Sequence, residues 1–505
     1  MLSVYSWVLL FLVSPDSYMH DLWLHNDSAI FFMCGKAWMN GMVPYVDFTD
    51  SKGPLLWLIY GIGYKISNLD YTGVFWLSWL LYSWVFFFVY KIADLFIKDK
   101  RLSVLCAVMM GLSFFNPWYH FEVRAEDWCQ PFIVYATYQM CRILYTNERH
   151  DKCSVYGVSY ALGFCLAGVL MIKYSITLMM GSYVLFLLYY LLRERISPLI
   201  PCFFLLLGFA TLLLPFLIYF LLFADLSVFV DEYFLNTFLT VKGSDTFANY
   251  LHEVLIVIAD PTYAVLFFVT LVGVVLWFRD LNKYSAFPLL VAVVFWAVSL
   301  HHAFYYYFAS CLLFSVWFLI WVMVEKRAYF QRNLYTLSLA SFLGCVFLNY
   351  VSCIGYTGYL TPSLFFYDNE NRQSYWRTVY VLSQVEHPKV MFYGNVYDYG
   401  YATPVNGLPA TRYYHTQNGM TPPMLKKQEE AVVNRVSDFV FVADGKENTN
   451  HCCQVLNSAG YSECFVTYRR KICLRVFTKH AGLKLPTADF HVGNVDVLLK
   501  RKIVQ

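Results

Sequence analysis

Ten apolar runs follow one another through the middle of the chain, at roughly 71–92, 102–118, 129–146, 154–172, 174–192, 199–223, 260–278, 285–300, 304–324 and 333–354. A helix needs about 20 apolar residues to cross the hydrocarbon core of a bilayer, so such a series leaves few soluble outcomes. The composition agrees. Of the 505 residues, 59% are hydrophobic and 14% charged, against roughly 45–50% and about 25% in soluble domains. The first run, Met1–Val13, is too short to span alone and lacks the basic flank and small-residue cleavage site of a signal peptide. It reads as a span that borrows residues from the following loop, or as a truncated start.

Lysine and arginine set the orientation. With the N-terminus inside, the cytoplasmic connections carry Lys91, Lys98, Lys100 and Arg101, then Arg149 and Lys152, then Arg193 and Arg195, then Arg279 and Lys283, and last Lys326, Arg327 and Arg332. Every alternate loop is basic. The sequence therefore predicts a polytopic α-helical membrane protein with about 11 transmembrane helices, N-terminus inside and C-terminus outside. The outward face then collects the loops 14–70, 119–128 and 224–259, the turn 301–303 and everything after Gly355.

The net charge of +3 is too small to suggest a nucleic-acid partner, and no basic run or RNA-binding signature stands out. Aromatics make up 20% of the chain, which suits interfacial belts and apolar grooves. Cysteines inside apolar runs, such as Cys106, Cys165 and Cys202, read as small core hydrophobes. Cys452, Cys453, Cys464 and Cys473 lie in the polar C-terminal part, where bridges are allowed but their connectivity is unreadable.

From about Thr361 the composition becomes that of a soluble domain, so the chain divides into a membrane domain, 1–358, and an extracytoplasmic α/β domain, 359–505. KVMFYG, DFVFVAD, CFVTYRR and KICLRVF read as strands, the last two joined by a hairpin; PPMLKKQEEAVVNRV and TNHCCQVLNSAG read as helices. Alternating strands and helices predict a small α/β domain. It has no GxGxxG and no Walker A loop, and the whole chain has no GxSxG, HExxH or CxxC. Nucleotide binding, serine hydrolysis and zinc hydrolysis are unsupported.

Ionisable groups gathered beside a bilayer are costly unless they line a watery or substrate-filled cavity. The first outward loop, 14–70, carries His25, Asp27, Asp47, Asp50 and Lys52. Residues Asp27–Met39 suit a short interfacial helix with Ile30, Phe31, Cys34, Ala37 and Trp38 on one face. Asp27 is placed as an N-cap, as a general base, or as both, since a carboxylate at a helix N-terminus stays ionised. In VPYVDFTDSKGP, Asp47 and Asp50 serve either as turn residues or as substrate ligands, with Lys52 neutralising Asp50 or holding a phosphate.

The second outward loop, HFEVRAEDWCQP, brings Arg124, Glu126 and Asp127 to the membrane edge. It is either a solvated connector anchored by tryptophans or a second acidic wall. Its carboxylates, with Asp27, would favour magnesium or manganese over zinc if they shared a divalent cation. Lys173 interrupts an apolar run at an outward end, where it either snorkels or meets an anionic headgroup. His301 and His302 are adjacent and so do not share a helical face, which leaves aromatic anchoring or a headgroup contact rather than metal binding.

The segment DSAIFFMCGKAWMNGMVPYVDFTDSKGPLL, and above all its G…VPY.D..D.KGP portion, resembles the first outward loop of bacterial polytopic GT-C glycosyltransferases. These are the mannosyltransferase- and aminoarabinose-transferase-like enzymes that use polyprenyl-phosphate sugars; the remaining spans match them in hydropathy and order alone. The resemblance implies a catalytic base at Asp27, with Glu126 and Asp127 at the place of the family's second-loop acids. It also implies a role for Lys52, Arg124 and Lys173, and for His25, His301 and His302, around the donor headgroup. The family's Asp-Glu pair reads Asp27-Ser28 here, and the first span is short, which are two departures. The implied activity moves a sugar from a polyprenyl-phosphate donor to a lipid or glycan acceptor, with inversion and without an enzyme nucleophile, in a bacterial inner membrane. A transporter or flippase of lipid-linked glycans, or a glycan polymerase, would share the architecture.

Overall fold

The computed structural model describes residues 1–14, 16–17, 27–115, 124–146, 152–236, 312–356, 370–394, 396–398, 400–415, 421–445, 448–469 and 472–486, with scattered positions between 255 and 294. His25, His301 and His302 lie outside the described residues. The chain falls into two compact units. One comprises Met1–Ser17, Leu77–Tyr219 and Ser244–Leu360, the other Tyr18–Trp76, Phe220–Gly243 and Thr361–Gln505.

Among the described residues the first ten helices are α1 (Leu2–Val13), α2 (Asp27–Met39), α3 (Pro54–Ile66), α4 (Thr72–Ile97), α5 (Lys100–Met109), α6 (Gly111–Phe114), α7 (Ala125–Tyr145), α8 (Lys152–Leu170), α9 (Tyr174–Arg193) and α10 (Leu199–Phe223). Among the described residues, α4, α8, α9 and α10 are long and apolar enough to cross a membrane. Helix α10 is the least buried of the four, with Phe203, Leu206 and Leu221 facing outward. Apolar side chains on that surface suit lipid contact. Helices α8 and α10 approach closely through glycine: a Cβ at Gly163 would strike the Leu205 carbonyl, and one at Gly208 the Tyr160 carbonyl. Small residues at such crossings let backbones touch.

In the second unit, α2 and α3 pack closely against each other. Helix α2 ends at Gly41, whose φ of 88° is the left-handed conformation that terminates helices; the Met42 amide reaches back to the Ala37 carbonyl at 3.1 Å. Helix α3 starts with Pro54 behind Gly53, where a missing amide costs nothing. The two helices meet at Gly35, where a Cβ would collide with the Gly61 backbone. Here the sequence expectation needs correction. Helix α2 is covered on more than one face: Ser28 to Ala37 are all buried. Apolar side chains surround the helix, and a helix of that kind is buried on all sides.

The C-terminal part of the same unit holds a five-stranded sheet in the order β2-β1-β3-β5-β4. Strand β1 is Lys389–Tyr393, β2 Leu408–Pro409, β3 Phe439–Ala443, β4 Ser462–Arg469 and β5 Ile472–Thr478. β2, β1 and β3 are parallel, while β3, β5 and β4 pair antiparallel. Every residue of β3 is buried, as a strand covered on both faces must be. Helices Pro422–Val433 and Thr449–Ser458 pack on one face through Val432, Cys452 and Leu456 against Met391, Val440 and Phe477. Cys452, Cys453, Cys464 and Cys473 are all free thiols.

Candidate active site

Among the described residues, each unit contains a cluster of buried ionisable side chains. The first is built on α2, which Asp27 opens. Residues 27, 31 and 34 follow the i, i+4, i+7 spacing of a single helix face. On that face Lys52 Nζ sits 5.8 Å from the centroid of the Phe31 ring, and it donates to Ser51 Oγ at 2.8 Å. Tyr45 fixes the turn that delivers Lys52: its hydroxyl donates to the Lys52 carbonyl at 2.9 Å. Its own φ of 65° is unusual for a bulky residue and is held by a 2.7 Å bond from its amide to the Phe48 carbonyl. Asp47 closes the same turn, its Oδ2 accepting the Val43 amide at 2.7 Å.

Asp50 is buried between these elements. Burial pushes its carboxyl above the usual range, while Lys52 and the Ser51 and Lys52 amides oppose the shift. Segment 412–415 runs against the loop. The Thr49 amide donates to the Arg412 carbonyl at 3.0 Å, and Arg412 Nε donates to the Val46 carbonyl at 2.9 Å. The Arg412 guanidinium and the Tyr413 hydroxyl then converge on Glu232 Oε1, at 3.0 and 2.7 Å.

Tyr414 and His415 come next, both buried. Burial takes the His415 imidazole down to about 3; the Lys52 charge acts in the same direction, and Asp27 and the Thr49 backbone oppose it. The ring is therefore neutral at physiological pH. Lys36 lies half a turn from Asp27 around α2, fully buried, and donates to the Ala402 carbonyl at 3.2 Å. Burial brings its ammonium down to about 7, against the pull of Asp398.

The second cluster surrounds the N-terminus of α7. Asp127 Oδ2 accepts the Arg124 amide at 2.9 Å, capping the helix, and its Oδ1 accepts the Tyr82 hydroxyl of α4 at 2.9 Å. Lys173, the residue preceding α9, forms an ion pair with Glu126. Arg124, Glu126, Asp127 and Lys173 are all buried. The sequence separated these residues by almost fifty positions, and the fold brings them together. Glu126 is thus paired to Lys173, and Asp127 accepts twice. Among the described residues no group of three or more His, Cys, Asp or Glu is arranged to hold a metal ion.

Sequence reasoning missed Lys36, Tyr45, Tyr82, Glu232 and the run Arg412–His415. A lysine within an otherwise apolar helix was a legible signal for Lys36. Arg-Tyr-Tyr-His, basic and aromatic together, was a weaker one for the other end of the site.

No protein-family model matches the chain, and no curated protein does. Solved structures do. The chain is similar in fold to ArnT from Cupriavidus metallidurans bound to undecaprenyl phosphate, with a TM-score of 0.62 over 96% of this chain and 97% of that one at 10% identity. It matches the apo state of the same protein at a TM-score of 0.63, with the same coverage and identity. Over 96% of its length, this chain has an ArnT-like fold.

Proposed function

We propose that the protein is an integral-membrane glycosyltransferase that moves a sugar from a polyprenyl-phosphate donor to a lipid or glycan acceptor. Asp27 takes the proton from the acceptor hydroxyl or amine as that atom attacks the anomeric carbon. The new bond forms as the bond between the anomeric carbon and the phosphate oxygen breaks, its electron pair leaving with the lipid phosphate. A single displacement of this kind inverts the anomeric centre and needs no nucleophile from the enzyme. Lys52 balances charge developing on the phosphate, with Asp50 beside it. In the other unit, Glu126 pairs with Lys173 and Asp127 accepts the Arg124 backbone amide.

The observation that carries this reading is the arrangement on α2: Asp27 opens a helix buried from Ser28 to Ala37, and Lys52 sits over Phe31 one turn along its face. The ArnT-like fold supports it, because the undecaprenyl phosphate of that structure is a lipid of the class proposed here as the donor carrier. The reading includes about 11 spans, an N-terminus inside, and the C-terminal domain on the outer face of a bacterial inner membrane.

Purified protein in lipid nanodiscs, given a polyprenyl-phosphate sugar and membrane lipid acceptors, should release free polyprenyl phosphate and glycosylate an acceptor. Asp27→Asn should remain inserted and folded but lose transfer. Normal transfer by that variant would remove Asp27 as base. Movement of lipid-linked glycan across the bilayer without transfer would instead favour a flippase.

A further inference from the structure

The cluster on α2 holds three buried polar side chains whose hydrogen-bonding capacity is only partly used. Both carboxylate oxygens of Asp50 are buried without a donor at full hydrogen-bond geometry, and so are both ring nitrogens of His415 and the Tyr414 hydroxyl. Only weaker approaches exist, from Ser51 and Lys52 to Asp50, from the Thr49 backbone to His415 and from the Cys34 thiol to Tyr414. Folded proteins pair more than about nine in ten buried polar groups. Three underpaired groups in one place point to a ligand that completes their pairing.

The three belong to one neighbourhood. Tyr414 and His415 are adjacent, with ring centroids 4.5 Å apart. The Thr49–Arg412 bond at 3.0 Å sets the residue before Asp50 against the segment that carries them. The Tyr414 carbonyl is anchored to the Phe392 amide at 2.6 Å, so the segment is fixed to the sheet at β1.

We propose that Asp50, Tyr414 and His415 form a subsite for the hydroxyl groups of a neutral sugar ring. The chemistry of the three selects that class. A carboxylate only accepts, a neutral imidazole has one donor and one acceptor, and a phenol has both. A ligand that satisfies all three must donate and accept at closely spaced points, as vicinal sugar hydroxyls do. A phosphate would meet the Asp50 carboxylate with like charge. An alkylammonium would meet the Lys52 ammonium. The inference rests on the glycosyltransferase reading in one respect: it assigns the sugar of the polyprenyl-phosphate donor to this subsite and leaves the phosphate to Lys52.

The test compares two lipid probes on purified protein in nanodiscs: polyprenyl phosphate, and the same lipid bearing glucose, mannose, galactose or arabinose. Tyr414→Phe removes one hydroxyl, and His415→Phe removes both nitrogens while keeping a ring. Circular dichroism and thermal melting check that each variant folds. Each should bind the sugar-free lipid within about twofold of the parent and the preferred sugar-bearing lipid roughly tenfold more weakly, the loss expected for a hydrogen bond or two. Equal weakening toward both lipids, or none, overturns the subsite.

If the parent binds neither lipid, the donor assignment fails separately. Saturation-transfer NMR with the four free monosaccharides then decides the subsite. A signal that both variants lose supports it. No signal with any of the four, or one that the variants keep, overturns it.

Discussion

The ammonium of Lys173, just ahead of α9, is bound by the carboxylate of Glu126 in the first turn of α7, and both side chains are almost wholly buried, at 8% and 2% exposure. Taking one partner away strands the other charge, which costs about 3–5 kcal/mol in buried pairs, whereas replacing both with apolar groups is often neutral. Lys173→Met should therefore lower the melting temperature in detergent sharply, and adding Glu126→Met should restore most of it. Additive losses in the double variant would mean that the two side chains do not depend on each other.

Stability should depend on pH through two buried bases of the second unit. The unfolded His415 binds a proton below its ordinary 6.5, while the folded ring does so only near about 3. The unfolded state thus binds more protons in that window, and stability falls as the pH drops from 6.5 toward 3. Lys36 acts likewise between about 7 and 10.5, where stability rises with pH. Asp50, with its carboxyl raised, works in the opposite sense above 3.8, so variants read the effect better than the raw curve. Denaturant titrations across pH should show a flatter acid limb in His415→Phe and a flatter alkaline limb in Lys36→Met. Limbs of unchanged slope would remove these groups as the cause.

Much of this organisation was legible in the sequence, and the gaps have physical reasons. The stretch DSAIFFMCGKAWM predicts a helix with the observed bounds, Asp27–Met39. Its burial was not legible, because a helix apolar all round has no polar face to orient it. KVMFYG and DFVFVAD gave β1 and β3, since runs of buried β-formers bounded by turn residues are local signals. The two-residue β2 and the polar helix Glu370–Leu382 carry no such pattern. Within the site, Asp27, Asp50 and Lys52 were readable as ionisable groups in one loop. Their neighbours at 412–415 were not, because the Arg412–Val46 bond joins residues 366 positions apart and no local spacing encodes it.

The α8–α10 crossing depends on having no side chain at two positions. A Cβ at Gly163 would run into the Leu205 carbonyl, and the neighbouring backbone cannot swing away as a flexible side chain would. Gly163→Ala and Gly208→Ala should each cost roughly 1–3 kcal/mol, the usual penalty for overpacking. Gly157, with nothing within 4 Å of its added Cβ, is the control in α8; Gly157→Ala should be neutral or slightly stabilising, since alanine favours helix. Detergent-resistance or thermal-shift measurements on the three variants check the order. Equal stability of all three would show that the helices do not need this close approach.

Glu232 holds the far side of the first cluster. It follows Asp231 in a short π-helical turn, Asp231–Asn236, and receives both the Arg412 guanidinium and the Tyr413 hydroxyl. Glu232→Leu would leave Arg412 with its Val46 contact alone, and the Thr49–Arg412 backbone bond would lose its support. Hydrogen bonds to charged groups contribute about 1.5–3 kcal/mol, and local opening responds to such losses before global unfolding does. Hydrogen exchange at the Thr49 amide should therefore accelerate by at least about tenfold in Glu232→Leu, while amides in β3 and β5 keep their protection. Unchanged exchange at Thr49 would mean that Glu232 does not hold segment 412–415 against the loop that carries Asp50 and Lys52.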